Sequence, residues 1–415
     1  MISHFLDNFT DNLLPYLFLY TELHYKFKFL GSRYFIKEPE ILLDVPHRIE
    51  PEHDIPLFLL IKDSHWFPVK LIDIKIEILN NQINDRFYYS FDKMINQKWW
   101  SEIFYINSIN YSQNIKINAF IRYEINGFSK TCINHNIPTI KSTPLNSYIS
   151  SEVYPRPLNS IYGDLHYHTN VTDDMVEFGA PLDSTYKAMK PLALDFACNT
   201  DHSYDIDDKI DSWIETDPEL TKWNNSIKEI NILNEKNKFN TFFIQSEELS
   251  LLNLDGFIIH ALVLNNKKFL PGQGDGAEIP FDFSCKYNTL TLKNELEENS
   301  LCIAAHPRSP VPFLQKLFFK RGQWQFKDLI LDHIDGLQIL NGEIDDGFID
   351  GLNIWKKLIL CGYKKFIYAG NDAHGNFNKY RQIKIPMISI LEKDSQIFGE
   401  CRTGIVRVNN KNSIE

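Results

Sequence analysis

Between Asp164 and His374 the chain carries six fragments in which a histidine or carboxylate closes, or sits inside, an apolar run: GDLHYHT, NTDHS, SEELS, FIIHALV, AAHPRSP and GNDAHG. Imidazole nitrogens and carboxylate oxygens are the donors that hold zinc, manganese and ferrous iron, and their recurrence at strand ends describes a polynuclear metal site. His166 and His168 are two apart, so on a strand both rings face the same way and can grip one cation. Asp372 and His374 repeat that spacing between Gly370 and Gly375, which let backbone approach a crowded site. Alone, HxH is most often a polar strand face and DAH a turn with a capping Asp; together they read as two halves of one centre. Glu247 and Glu248 are adjacent, so on a strand only one can point into the site, the other being solvated or supporting. Two cations held close together need such a bridging carboxylate to offset their repulsion. His202 and His306 follow buried strands and His260 lies within one. A single buried histidine is more often a hydrogen-bonded core residue, but three on different strands beside two paired motifs reverse those odds. His333 precedes its strand and His135 lies in a linker, so neither is assigned. Glu343, Asp345, Asp346 and Asp350 surround a helix start, where the helix dipole accounts for them, and Asn341 is placed to line the pocket.

The elements that must position these residues follow from texture. Beyond residue 161, helix-like stretches (183–190, 223–237, 291–299, 348–361) alternate with apolar runs that end in the fragments above. Recurring βα units predict an α/β domain over 161–415 with a barrel-like or open parallel sheet, its chemistry at the carboxyl ends of the strands. Residues 1–133 carry no such helices in their strand-rich part; Val69 to Ile78 and Ile115 to Ile125 alternate apolar and polar, which predicts a smaller all-β, sandwich-like domain. Trp99 and Trp100 read as sheet packing rather than a sugar platform. Residues 134–160, rich in Pro, Ser and Asn and without a period, read as a linker. The run after Gly399 reads as an edge strand and a polar tail.

Composition narrows the partners. A net charge of −11 over 415 residues, with no clustered Lys/Arg run, disfavours nucleic acid and anionic membranes and leaves a small-molecule substrate; oligomeric state is not legible. Six scattered cysteines without CxxC spacing read as reduced thiols. The apolar stretch at Leu13 to Tyr20 lacks the basic flank and small-residue cleavage site of a signal peptide, so the chain reads as soluble and cytoplasmic.

From Tyr162 onward, the order DLHYHT, TDH, EE, H, HP and GNDAHG resembles the polymerase and histidinol phosphatase (PHP) superfamily of metal-dependent phosphoesterases. GDLHYHTN, FGAPLD, LQILNGE, GNDAHGNFN with a downstream RQ, and FGECRTG are most similar to the branch that includes carbaryl-hydrolase-type metallohydrolases. The resemblance implies a distorted (βα)7 barrel and two or three divalent ions, Zn, Mn or Fe. It implies one metal on His166, His168, Glu248 and Asp372, and a second on Glu248, His260 and His306. A third falls to Asp173, His202 and His374, with Asp174 the alternative to Asp173. Members of that branch often continue past the RTG segment, which implies further chain at the C-terminus.

The expected reaction is hydrolysis by a hydroxide bridging two cations, attacking phosphorus or a carbonyl carbon. Arg308 and Arg381 are candidates to hold a substrate phosphate, each weighed evenly against a surface ion pair, and His374 could protonate the leaving group if it is not a ligand. A phosphoesterase on a small or medium organic phosphate leads, with an ester or carbamate hydrolase close behind. A nuclease is disfavoured by charge, and a catalytically idle metal-binding module whose sandwich recognises a partner or glycan is the competitor from another class.

Overall fold

The computed structural model describes residues 38–80, 84–137, 141–172, 179–212, 215–236, 240–276, 279, 281–381, 392–393 and 395–406. Its first part is built from β1 (Glu40–Asp44), β2 (Arg48–Ile49), β3 (Ile55–Lys62), β4 (Val69–Leu79), β5 (Asn84–Ile95), β6 (Trp99–Ile106), β7 (Gln113–Ile125), β8 (Phe128–Ile133) and β9 (Leu145–Ile149). These form a sheet in the order β1-β3-β6 and a second in the order β2-β9-β7-β4-β5, with β8 on the side of β7. Every pairing except β2 with β9 is antiparallel. The alternation in β4 and β7 puts Ile74, Ile76, Ile78, Ile117, Ala119 and Ile121 into one apolar core, as period two requires. Strand β9 corrects the linker reading of 134–160: Leu145 and Ile149 enter that core and the strand pairs with β7, so part of the linker is sheet.

The second part holds β10 (Ser160–His168), β11 (Phe196–Asn199), β12 (Phe242–Leu252), β13 (Ile258–Leu264), β14 (Leu301–Ala304), β15 (Gly336–Asn341), β16 (Phe366–Gly370), β17 (Ala373–His374), β18 (Tyr380–Arg381), β19 (Glu392–Lys393) and β20 (Thr403–Val406). Nine of them make a single sheet in the order β16-β15-β14-β13-β12-β11-β10-β17, with β20 also on β10. All strands on that path run the same way except β13, which is antiparallel to both neighbours. The sheet curls nearly closed. The free side of β10 is shared by β20 and β17, and the chain leaving β16 bonds back to β10 through Asn371 N and Asp372 N, 3.2 and 2.8 Å from the His166 carbonyl oxygen. The tail strand expected at an edge is therefore part of the closure, and 407–415 lie outside the described residues.

Helices are fewer than seven βα units require. Among the described residues only Leu182–Met189, Thr221–Lys236 and Asp346–Leu360 reach eight residues. The β12–β13 connection is a direct antiparallel turn, and the helix expected at 291–299 is a single 3-10 turn, Thr291–Asn294. The fold is thus mixed α/β with a nearly closed, barrel-like sheet beside a two-sheet β layer. Among the described residues no helix is long and apolar enough to cross a membrane, and none of the six cysteines is paired.

The two parts share packing. Strand β3 is buried along its whole length because one face, Ile55, Leu57, Leu59 and Ile61, enters the sandwich core, while Phe58 joins the barrel cluster with Tyr167, Phe377 and Phe398. Asp44 Oδ2 accepts a hydrogen bond from Phe377 N at 2.9 Å, and His47 N donates to the Phe377 carbonyl at 2.9 Å.

Candidate metal centre

Alternation in β10 sends Tyr167 into the apolar cluster and His166 and His168 to the opposite face, at the barrel mouth. His202 starts the short turn after β11, Glu248 lies on β12, and His306 follows β14. His260 comes near the beginning of β13, and because β13 runs antiparallel, its beginning lies at the same end as the other strands' ends. Asp372 and His374 leave β16 and pair back onto β10, with His374 in register with His168. Three groups of donors result: His166, His168, Glu248 and Asp372; Glu248, His260 and His306; and His168, His202 and His374. Within each group all ligand atoms lie within 4.8 Å of one another. Eight residues take part, since His168 and Glu248 each belong to two groups.

Glu248 is the hub. Its Oε2 lies 3.2 Å from His166 Nε2, 3.4 Å from His168 Nε2 and 3.1 Å from His202 Nδ1. Its Oε1 lies 2.9 Å from His260 Nδ1 and 3.2 Å from His306 Nε2. Glu248 Oε2 and His166 Nε2 face one another fully buried, too poorly aligned for a well-formed hydrogen bond at their 3.2 Å separation. Buried polar atoms left in this state are costly, and a cation between them removes the cost. Burial alone would push the Glu248 carboxyl up; His166, His260 and His202 outweigh it and hold it well below its usual range. Asp372 is held down in the same way, chiefly by His166 and then by His168. Burial opposes charge on His166, but Glu248 and Asp372 win and raise it to about 9. His168 goes the other way, lowered first by burial and then by His374 and His202. In the metal-free centre, then, a proton on His166 supplies positive charge between two carboxylates, which is what a cation would replace.

Neutral acceptors orient the rings. His166 Nδ1 donates to Gln338 Oε1 at 2.9 Å, and that amide is fixed by its own donation to Asn341 Oδ1 at 2.8 Å. Thr172 Oγ1 gives its proton to Asp201 Oδ1 at 3.0 Å, so it can accept from His168 Nδ1 at 3.3 Å. The Asp372 carbonyl, 3.1 Å away, accepts from His374 Nδ1. Each bond leaves the other ring nitrogen turned inward. Two of the eight residues sit at positive φ, His306 at 27° and Asp372 at 51°. Such backbone costs roughly 1–3 kcal/mol and persists where the surroundings hold it for a purpose.

Other expected residues are placed as follows. Asp173 and Asp174 lie outside the described residues, as does the side chain of Arg381. The Arg308 guanidinium lies 3.3 Å from the Trp324 carbonyl and 3.4 Å from the Asp350 carboxylate. Glu247 does not enter the site and is not solvated either; buried between Ser203 Oγ and Leu270 N, it is pushed up to about 8 by burial. His333 bonds to the Thr289 carbonyl and His135 bridges to Leu42, both away from the centre. Asp345 caps its helix through Phe348 N at 2.8 Å, and Asn341 lines the cleft and donates to Asp372 Oδ2 at 3.2 Å.

Sequence reasoning missed Asp275, Arg321 and Ser250. They lie against His260, on loops and a strand face without periodic signal. Beside the donors opens a cleft of about 210 Å³, lined by apolar Ile258, Ile259, Val311 and Trp324 and by polar Ser309, Gln315, Arg321 and Asn341.

No family model matches the chain and no curated protein matches it. A solved structure of a cycloisomaltooligosaccharide glucanotransferase from Paenibacillus sp., complexed with cycloisomaltoheptaose, is 12% identical with a TM-score of 0.17. The alignment covers 50% of this chain and 27% of that one, a likeness too slight to bear on the fold.

Proposed function

We propose that the chain is a metal-dependent hydrolase, a phosphoesterase acting on a small or medium organic phosphate. The observation that carries this reading is the set of eight buried donors in three overlapping groups joined at Glu248 and His168. His166, His168, Glu248 and Asp372 would hold one divalent cation, and Glu248, His260 and His306 a second. His168, His202 and His374 would hold a third, to which Asp173 or Asp174 adds a carboxylate. Zn, Mn and Fe all suit this mixture of imidazole and carboxylate. Bound there, such cations supply Lewis acidity and an activated water, whose pKa falls from about 15.7 toward about 7. The motif order and the near-closed sheet support reading the fold as a PHP-type barrel.

The chain's own residues complete the chemistry. Asn341 orients Asp372, and the cleft of about 210 Å³ beside the donors supports the choice of a small substrate. If His374 does not ligate, it can protonate a leaving oxygen as the imidazolium, giving up its Nε2 proton while the Asp372 carbonyl holds the one on Nδ1. The competing reading, a carboxylester or carbamate hydrolase, would use the same centre, and the cleft mixes apolar Ile258, Val311 and Trp324 with polar Ser309, Gln315 and Arg321. Metal analysis after purification without chelator is the first test, and less than one equivalent of transition metal sinks the enzyme reading in favour of an idle module. Relative turnover of a nitrophenyl phosphate and a naphthyl carbamate then separates the two hydrolases.

A further inference from the structure

His260 differs from the other rings in what stands behind it. Its Nδ1 faces Glu248 Oε1 at 2.9 Å, while its Nε2 lies 3.0 Å from Asp275 Oδ2. Asp275 is fully buried and itself held: Arg321 Nη2 donates to its Oδ1 at 2.6 Å, and Ser250, directly opposite His260 across the β12–β13 pair, donates to its Oδ2. Arg321 Nη1 also reaches His260 Nε2. A guanidinium can only donate, so two tautomers compete. In one, Arg321 donates to a bare Nε2, the ring proton sits on Nδ1 against Glu248, and His260 presents no lone pair to the centre. In the other, the Nε2 proton goes to Asp275 and the Nδ1 lone pair points at Glu248. A cation cannot take the Nε2 side, because the Arg321 charge already occupies it.

We propose that Asp275 is a positioning residue which, fixed by Ser250 and Arg321, holds the His260 proton on Nε2 and so commits Nδ1, with Glu248 and His306, to the second metal position. The inference rests on the metal-centre reading above and deepens it. A carboxylate behind a ligating imidazole also raises its basicity, and losing one costs about 10- to 100-fold in metal affinity. Asp275→Asn is the decisive change: it keeps the shape but offers His260 an N–H in place of an acceptor, which favours the wrong tautomer.

The test is cobalt(II) titration of the full chain, wild type against Asp275→Asn, followed by visible absorption and equilibrium dialysis. The expected result is that one class of site weakens 10- to 100-fold, with its share of the d–d spectrum lost, while the class containing His166, His168 and Asp372 fills as in wild type. Filling of all sites at wild-type affinity overturns the proposal and leaves the metal-centre reading standing, whereas a wild-type chain that takes up no cobalt overturns both. Should the variant not fold, nitrogen NMR of wild-type, zinc-loaded protein with labelled histidines decides. A His260 proton on Nε2 supports the proposal, and one on Nδ1 overturns it.

Discussion

Glu248 touches five imidazoles, so its charge is shared more widely than any other in the centre. Glu248→Gln is expected to empty two donor groups at once, bringing metal content below that of Asp372→Ala, which disturbs one group; elemental analysis of both variants checks the order. Because a partner one bond removed from a metal costs about 10- to 100-fold, Asp372→Ala should lower turnover by at least about that, and unchanged metal and turnover would remove it from the first position. Protonation gives two further outcomes with opposite signs. Loaded protein needs neutral imidazoles, so activity and metal content should fall together below about pH 6, and activity flat to pH 5 counts against histidine ligation. Metal-free protein behaves differently above pH 6.5. His166, raised from 6.5 to about 9, and Glu247, raised from 4.5 to about 8, both keep protons that the unfolded chain releases. Their contribution to stability is therefore complete below the unfolded values and lost as pH climbs through the folded ones, at about 1.4 kcal/mol per pH unit per proton. The melting temperature of chelator-treated protein should fall from pH 6.5 to 8, and a rise would contradict the His166 and Glu247 assignments. At this scale the paired motifs were legible because a strand's period fixes which rings share a face. Asp275 and Arg321 were not, because they meet His260 only through the path of irregular segments.

Strands were legible as apolar runs, but their direction was not. Nothing in FIIHALVL tells that β13 is reversed, and that reversal is what brings His260 to the mouth. Strand β9, LNSYI, has the period-two burial expected of a half-exposed strand, yet its Ser and Asn read as linker, because five residues are too few for a period to outweigh composition. Conversely, the helix-like stretch 291–299 closes only one 3-10 turn. Gly370 shows how tightly two elements meet: a Cβ there would lie 2.6 Å from His166 Cβ and 2.9 Å from His166 N. Gly370→Ala should push β16 from β10, costing about 1–3 kcal/mol and weakening the first metal position. Thermal melts and cobalt titration of that variant check both, and a wild-type response in both would mean the sheet closure is looser than drawn.

Over the whole molecule, a chain of rings leads from the sandwich to the centre. Phe58 on β3 lies 4.9 Å from Phe377, Phe377 lies 5.9 Å from Phe398, and Phe398 lies 4.8 Å from Tyr167, the residue between His166 and His168. Phe58→Ala should cost about 3–5 kcal/mol and also loosen metal binding, although Phe58 carries no donor; a lowered melting point with unchanged metal affinity would confine the ladder to packing. Neither this ladder nor the clamp of Asp44 on Phe377 N was legible beforehand, since both join residues more than three hundred positions apart. Their consequence is that the sandwich behaves like a subunit that happens to be covalently attached. A single cut in the exposed stretch between Ile149 and Ser160 should leave the two fragments associated and the metals in place, whereas stripping one fragment from the other should release both the aromatic seam and the ions together.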